Sequence, residues 1–218
     1  MSVDLVALKD ANSRRWKAAR ALRDFVPAAG RLVSPSAKTQ YQAVERRTSV
    51  PWFFIAVVHE RESSQNWAGS LAQGDPWNKV SVHVPIGRGP FASWADAAVD
   101  ALESCPPYAG RNHDWSVGGI LTMLEQYNGL GYAMRGLPSP YVWSGTDQYS
   151  RGKFVRDGFY DPNKVDTQLG CAGLLMAMRA LDHDVATRLG GQPAAPAPAG
   201  AFSRFLSAIG SFFGGRKA

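Results

Sequence analysis

The residues best suited to acid–base chemistry are two glutamates at the end of an apolar stretch, residues 51–64, which reads PWFFIAVVHERESS. Pro51 can occupy the first turn of a helix, because its missing N–H costs nothing there. On that helix Glu62 lies four residues after Val58, on the same apolar face. Loss of hydration on such a face raises the pKa of a carboxyl group, which suits Glu62 to act as a general acid near neutral pH.

A plainer interpretation of this stretch remains open. Both glutamates can be surface charges paired with Arg61 or with lysines. Glu60 lies about 200° around the helix from Glu62, so the two carboxyls do not easily share one site. A zinc-protease motif would need a second histidine four residues after His59, where the chain has Ser63. No metal site is therefore expected.

A second candidate is the turn formed by residues 74–76, Gly-Asp-Pro, and the segment after it. Asp75 could be the partner carboxylate that a glycosidase needs, although Gly-Asp-Pro is also ordinary turn chemistry. In residues 79–84 valines alternate with polar residues, which predicts a half-buried strand. Ser81 and His83 share its polar face, towards either a cleft or solvent.

A third group of candidates lies in residues 124–132, LEQYNGLGY, and in residues 139–143, SPYVW. Asn-Gly after a helix is a natural stop, but the amide and phenol groups around it could also hydrogen-bond to a sugar. The candidate sugar contacts are Gln126, Tyr127, Asn128, Tyr132, Tyr141 and Trp143.

The elements that must position these groups are mostly helices, so we predict an α+β fold that is predominantly α. The predicted helices cover residues 4–25, 51–67, 93–104 and 115–127, with a last one starting at Asp161-Pro162. The folded domain should end near residue 189. A Gly/Pro/Ala linker, residues 190–200, follows it.

The last segment, residues 201–218, has an apolar stripe at helical spacing and no acidic residue. It predicts an amphipathic basic helix. Such a helix could dock on the domain or lie in an anionic membrane interface, and the pattern does not choose. The stripe consists of Phe202, Phe205, Leu206, Ile209, Phe212 and Phe213.

Composition excludes several classes of protein. The 218 residues are 45% hydrophobic and 19% charged, which is unlike a disordered chain. Two cysteines do not make a disulfide scaffold, and they are expected to be buried or incidental thiols. No apolar window is long enough for a transmembrane helix, and the first residues lack a signal sequence. A net charge of +6 favours polyanionic partners such as a cell wall, an anionic membrane or nucleic acid.

The order of these motifs resembles the lysozyme superfamily, chiefly goose-type lysozymes and lytic transglycosylases. The likeness rests on Glu62-Ser63 after an apolar helix, a short β element, then residues 126–129 and Tyr141. The run from His59 to Arg88, with later stretches, is similar to a group of phage and bacterial lysozyme-family proteins. The resemblance covers about residues 50–180. No Gly-Leu-Met-Gln segment follows the β element, which favours hydrolysis over the transglycosylase reaction.

The resemblance implies a two-lobed lysozyme-like fold with a cleft, and cleavage of peptidoglycan between N-acetylmuramic acid and N-acetylglucosamine. Glu62 would protonate the leaving oxygen, Asp75 would stabilise the transition state or activate water, and Ser81 would orient that water. The sugar contacts named above, with His83, would hold the glycan strand.

The resemblance also implies the biological setting of a phage endolysin. Such a monomeric enzyme, which needs no cofactor, is made in the bacterial cytoplasm without a signal peptide and reaches the wall after release. The alternatives are a lytic transglycosylase or chitinase on the same fold, or a non-catalytic wall-binding or phage structural module. Nucleic-acid binding through the basic residues of 4–25 is disfavoured, because acidic residues dilute them.

Overall fold

The structure, a computed structural model, describes residues 3–72, 74–83, 85–156 and 158–190. Within those ranges the chain forms nine α-helices and one two-stranded antiparallel sheet, which confirms the predicted α+β class with mostly helix. The predicted helix at 201–218 and all but the first residue of the predicted linker lie outside the described residues.

The bounds of these elements are as follows. The helices are α1 (Leu5–Ala18), α2 (Val26–Leu32), α3 (Pro35–Thr48), α4 (Trp52–Ser63), α5 (Trp94–Glu103), α6 (Val117–Tyr127), α7 (Pro140–Trp143), α8 (Cys171–Leu181) and α9 (His183–Arg188). The strands are β1 (Lys153–Arg156) and β2 (Phe159–Asp161).

Helix α4 forms the centre of the core. Every residue from Trp52 to His59 is buried, and the helix packs against α2, α3 and α8. An apolar helix without a polar face is typical of a helix surrounded by others. Its last turn, which carries Glu62, is where this central helix approaches the surface.

Local signals place several helix ends correctly. Ser93 caps α5, where its hydroxyl accepts the N–H of Asp96. Helix α6 begins two residues later than predicted, because Ser116 is its N-cap and Asp114 instead accepts the N–H of Ser116. Helix α4 ends at Ser63, short of the predicted end near residue 67, because Ser64 adopts a left-handed conformation.

The N-terminal third differs more from the prediction. Helix α1 stops at Ala18 rather than near residue 25, and Ala21 then forms a β-bridge with Thr146. Residues 26–48, for which the sequence predicted no particular element, form α2 and α3. Both begin with proline in their first turn, the position where proline is tolerated in a helix.

The predicted strand at residues 79–84 is wrong for the part that the structure describes, residues 79–83, which form a loop. Val80 and Val82 are 53% and 71% exposed, so the alternating valines do not cover a core. Side chains and loop carbonyls satisfy the backbone donors here. The N–H of Val82 binds the Asp75 carboxylate, and the N–H of Ser81 binds the Arg88 carbonyl.

The helix predicted from Asp161-Pro162 is also wrong. Asp161 is the last residue of β2, and its carboxylate accepts the N–H of Asn163 in a turn. The helix begins only at Cys171. Aspartate before proline starts turns as readily as helices, so local chemistry did not separate the two.

The observed hairpin of β1 and β2 is fixed by aromatic packing. The rings of Tyr132, Phe154 and Tyr160 meet edge to face, with centroids 4.9 to 6.3 Å apart. The Phe154 N–H donates to the Tyr132 hydroxyl at 2.9 Å. This contact attaches the hairpin to the segment after α6. No helix in the described ranges is both long and apolar enough to span a bilayer.

Candidate functional site

Glu62 and Tyr141 meet at the edge of a pocket of about 500 Å³, which we call the Glu62 pocket. The Tyr141 hydroxyl donates to Oε1 of Glu62 at 2.8 Å. The pocket is lined by Arg61, Glu62, Asn128, Gly129, Gly131, Tyr132, Pro140, Tyr141, Lys153, Phe154, Val155, Arg156, Gly158, Asp166 and Gln168.

The surroundings of Glu62 keep its carboxyl near the point of half-protonation at neutral pH. Burial raises its pKa from 4.5 to about 7. The Tyr141 hydrogen bond and the positive charge of Arg61 act in the opposite direction, and the loss of hydration outweighs both. A carboxyl of this kind can hold a proton at physiological pH and release it to a substrate.

The position of Tyr141 is set by a chain of contacts from α6. Ser139 is the N-cap of α7, where its hydroxyl accepts the N–H of Tyr141 and a bond from the Asn128 amide. The N–H of Ser139 in turn binds the carboxyl of Glu125, which is almost completely buried. Glu125 therefore supports the turn that brings the phenol to Glu62.

The side wall of the pocket contains a buried ionic group of two cations and one anion. Asp166 accepts Nη2 of Arg61 at 2.9 Å and Nζ of Lys153 at 3.0 Å. These bonds hold the pKa of Asp166 below its usual value although burial alone would raise it. The group joins the end of α4, the start of β1 and the loop before α8.

On the other side of the last turn of α4 lies an aromatic cluster, defined by Tyr41, His59, Trp67 and Trp94. His59 is fully buried, with Nδ1 3.0 Å from the Tyr41 hydroxyl and Nε2 3.1 Å from the Asn66 carbonyl. Burial lowers its pKa to about 4, so the imidazole is neutral at pH 7. The neutral ring links α4 to the loop that follows.

Glu60, the other glutamate of this helix, is used differently. Its carboxylate pairs with the Arg31 guanidinium at 3.1 Å, and it does not line the Glu62 pocket. The surface-pair interpretation therefore describes Glu60, and the apolar-face interpretation describes Glu62.

Asp75 sits in a loop that passes the end of α4. Gly74 has φ +74°, and a Cβ there would come 3.0 Å from the Glu62 carbonyl, so this position requires glycine. The Asp75 carboxylate accepts the N–H groups of Val82 and His83 and pairs with Nδ1 of His83 at 2.6 Å. These hydrogen bonds lower its pKa. It does not line the Glu62 pocket.

Ser81 and His83, which the sequence placed on one polar face, are separated by the loop. The Ser81 hydroxyl donates to the Pro85 carbonyl at 2.8 Å and accepts the Arg88 N–H at 2.9 Å. The His83 side chain is 71% exposed beside Asp75. Both residues thus shape the loop of residues 75–91 outside the Glu62 pocket.

The predicted sugar contacts divide into two groups. Asn128, Tyr132 and Tyr141 line the Glu62 pocket. Tyr127 donates to the Leu71 carbonyl at 3.4 Å, and Trp143 is completely buried in the core, out of reach of a ligand in this conformation. Gln126 does not line the pocket, and its amide lies 3.5 Å from the Thr122 carbonyl.

Sequence reasoning missed Arg61, Glu125, Lys153 and Asp166. Arg61 and Glu125 had a local signal, since each is a charged residue within an apolar helical run and needs a partner if buried. Lys153 and Asp166 had none, because their role depends on the contact between β1 and the loop before α8. Within the described ranges, no three His, Cys, Asp or Glu side chains are grouped as metal ligands would be.

Comparison of the chain with protein-family models, with curated proteins and with solved structures gave no match.

Proposed function

We propose that the protein is a peptidoglycan glycosidase that cleaves the glycan strand between N-acetylmuramic acid and N-acetylglucosamine in a lysozyme-like, two-lobed arrangement. The observation that carries the proposal is Glu62, whose pKa of about 7 and contact with Tyr141 suit a general acid at the edge of an open pocket.

The proposed first step is proton transfer from Glu62 to the glycosidic oxygen. As the bond to the leaving sugar breaks, positive charge develops on the remaining ring, and Glu62 becomes a carboxylate. Tyr141 keeps its hydrogen bond to Oε1 through the step and stabilises that anion. Asn128 and Tyr132, which line the same pocket, supply amide and phenol groups for the sugar hydroxyls.

A second candidate is a lytic transglycosylase, in which a hydroxyl of the substrate replaces water. This reaction is favoured because the other two candidate carboxylates are already engaged by other groups of the protein. Asp166, which lines the pocket, is neutralised by two cations, and Asp75, which lies outside the pocket, is bonded to its own loop. A two-carboxylate hydrolase needs a second free acid or base to activate water. Hydrolysis would therefore require Asp75 to exchange loop contacts for a water.

Digestion of purified peptidoglycan, followed by mass analysis of the fragments, tests the proposal. Reducing muramic ends would identify a hydrolase, and anhydro-muramic ends a transglycosylase. Glu62→Gln should lower the rate at least about 10²-fold while the thermal melt shows a folded protein, because the amide cannot donate the proton. Glu60→Gln, two residues earlier on the same helix and outside the pocket, is the matched control. New amino groups, or no fragments at all, would contradict the proposal.

The proposed setting is that of an endolysin made in the bacterial cytoplasm that reaches the wall after release. The net charge of +6 supports a wall partner, since peptides and polymers of the wall are anionic.

A further inference from the structure

The hairpin of β1 and β2 supplies a third of the residues that line the Glu62 pocket, and two of them are cations. Lys153 is bonded to Asp166, whereas Arg156 has no ion pair with any residue that the structure describes. The hairpin therefore presents a positive charge that the folded chain does not use.

The charge balance of the pocket is positive near neutral pH. Arg61, Lys153 and Arg156 are three cations, and Asp166 is one full anion. Glu62 adds only part of a negative charge, because its pKa is about 7. A neutral polysaccharide gains nothing from this excess, whereas a glycan with acidic substituents does.

The guanidinium of Arg156 is held in one position by a neighbouring aromatic ring. The guanidinium lies 3.6 Å from the centre of the Phe159 ring, across the hairpin. Stacking on an aromatic face fixes the plane of the guanidinium while leaving its N–H donors available. Arg156 and Phe159 are both exposed, so a ligand in the pocket can reach the pair.

We propose that Arg156 binds a carboxylate carried by the peptide side chains of the glycan, so that the pocket selects strands whose peptide carboxylates are free over strands in which they are amidated. This inference rests on the proposed function, because it names the part of the peptidoglycan that the same pocket recognises. An acidic substituent beside the scissile bond would pair with the stacked guanidinium while Glu62 reaches the glycosidic oxygen.

The test measures binding in a Glu62→Gln background, which leaves the strands uncut. Two probes of equal glycan length are compared, one with its peptide carboxylates free and one with the same carboxylates converted to amides. We expect the strands with free carboxylates to bind more tightly by up to about fivefold, the upper end for an exposed ion pair, and this preference to shrink with added salt. Arg156→Gln should abolish the preference, and Arg156→Lys should restore part of it.

Arg151→Gln is the matched control, since it removes the same charge from an exposed site two residues before the hairpin. Equal affinity for both probes, or an equal effect of Arg151→Gln and Arg156→Gln, would overturn the inference. The two proposals fail separately. Selective binding without cleavage by the Glu62 protein would refute the proposed function alone, and cleavage without selective binding would refute the role of Arg156 alone.

Discussion

Two groups of interactions shift the pKa of Glu62 in opposite directions: burial raises it, and the hydrogen bond from the Tyr141 phenol lowers it. Tyr141→Phe removes the hydrogen bond that favours the anion, so the pKa of Glu62 should rise above its present value. Activity of a general acid falls as pH increases through its pKa. The alkaline limb of the pH–rate profile should therefore move to higher pH in this variant, with a lower maximal rate.

Tyr127→Phe is the control for that profile, because its hydroxyl contacts the Leu71 carbonyl rather than Glu62. A limb that stays in place or moves to lower pH in Tyr141→Phe would show that another group governs the profile.

A second prediction concerns Asp75, whose carboxylate either stabilises its own loop or activates water. The two roles predict different effects of Asp75→Asn. The pKa of Asp75 is depressed by hydrogen bonds, so its stabilising contribution is present above the ordinary aspartate pKa and is lost as pH falls through the lowered one. Asp75→Asn should therefore lower the melting temperature at pH 7 and make little difference in strong acid. Glycan binding should be retained.

The products of Asp75→Asn separate the two chemistries. If anhydro ends persist at near-normal turnover, Asp75 belongs to the loop. If a hydrolytic product disappears while the melt is unchanged, the carboxylate activates water. His83→Gln, which removes one partner of the carboxylate, should reproduce the loop effect in part.

The candidate residues could be predicted from their local sequence, but the contacts between them could not. Glu62 stands out because a carboxyl follows an apolar helical face, a pattern that needs no knowledge of the rest of the chain. Its contact with Tyr141 spans 79 positions. Asp75 was equally conspicuous, but only the fold shows that its carboxylate is bonded to the backbone eight residues later.

Helix α6 carries a buried carboxyl, Glu125, in its last turn, and burying it costs stability by an amount that depends on pH. Burial raises the pKa of Glu125 from 4.5 to about 7. The folded state therefore holds a proton that the unfolded state releases in this interval, and stability decreases as pH rises through about 7.

Glu125→Gln keeps an acceptor for the Ser139 N–H and removes that charge. We compare the free energy of unfolding of this variant with that of the unchanged protein at each pH. The difference should shift in favour of the variant by about 2–3 kcal/mol from pH 4 to pH 8. Chemical denaturation at the two pH values measures the change, with the pH 4 pair as the internal control. A difference independent of pH would mean that the pKa of Glu125 is the same in the folded and unfolded states.

Elements fixed by local chemistry were predictable, and those fixed by distant partners were not. Ser93 and its capped helix α5 are examples of the first kind. Residues 79–83 are an example of the second, since alternation of valines suits a strand but the loop receives its hydrogen bonds from Asp75. The real strands, β1 and β2, depend on Tyr132 and show no clear alternation in the sequence.

The last prediction concerns residues 191–218, which contain the apolar stripe and the basic residues of the C-terminal segment. Their removal should leave a folded domain that is active on isolated peptidoglycan, and binding to anionic vesicles should decrease, because the apolar stripe and basic residues are lost. The rival outcome is docking onto the domain, where Leu189 and Gly190 border a groove of about 870 Å³ with Trp16 and Met176.

A thermal melt of the shortened protein separates these outcomes. Docking predicts a decrease of about 5 °C or more, equivalent to about 1–2 kcal/mol for a domain of this size. An unchanged melt with weaker vesicle binding supports the membrane role. Phe205→Ser with Ile209→Ser in the full chain is the matched variant, since it disrupts the stripe and keeps every charge.

The aromatic cluster around His59 also gives the molecule a built-in optical probe. Two indoles with centroids 4.6 Å apart, in contact with one imidazole, form an asymmetric and largely buried group of chromophores. Because that imidazole stays neutral down to about pH 4, its quenching of indole emission is constant over the working range. The difference in near-ultraviolet dichroism between the protein and its Trp67→Phe variant therefore separates this cluster from the other tryptophans, and reports the packing of α4 against the loop that follows it without an attached dye.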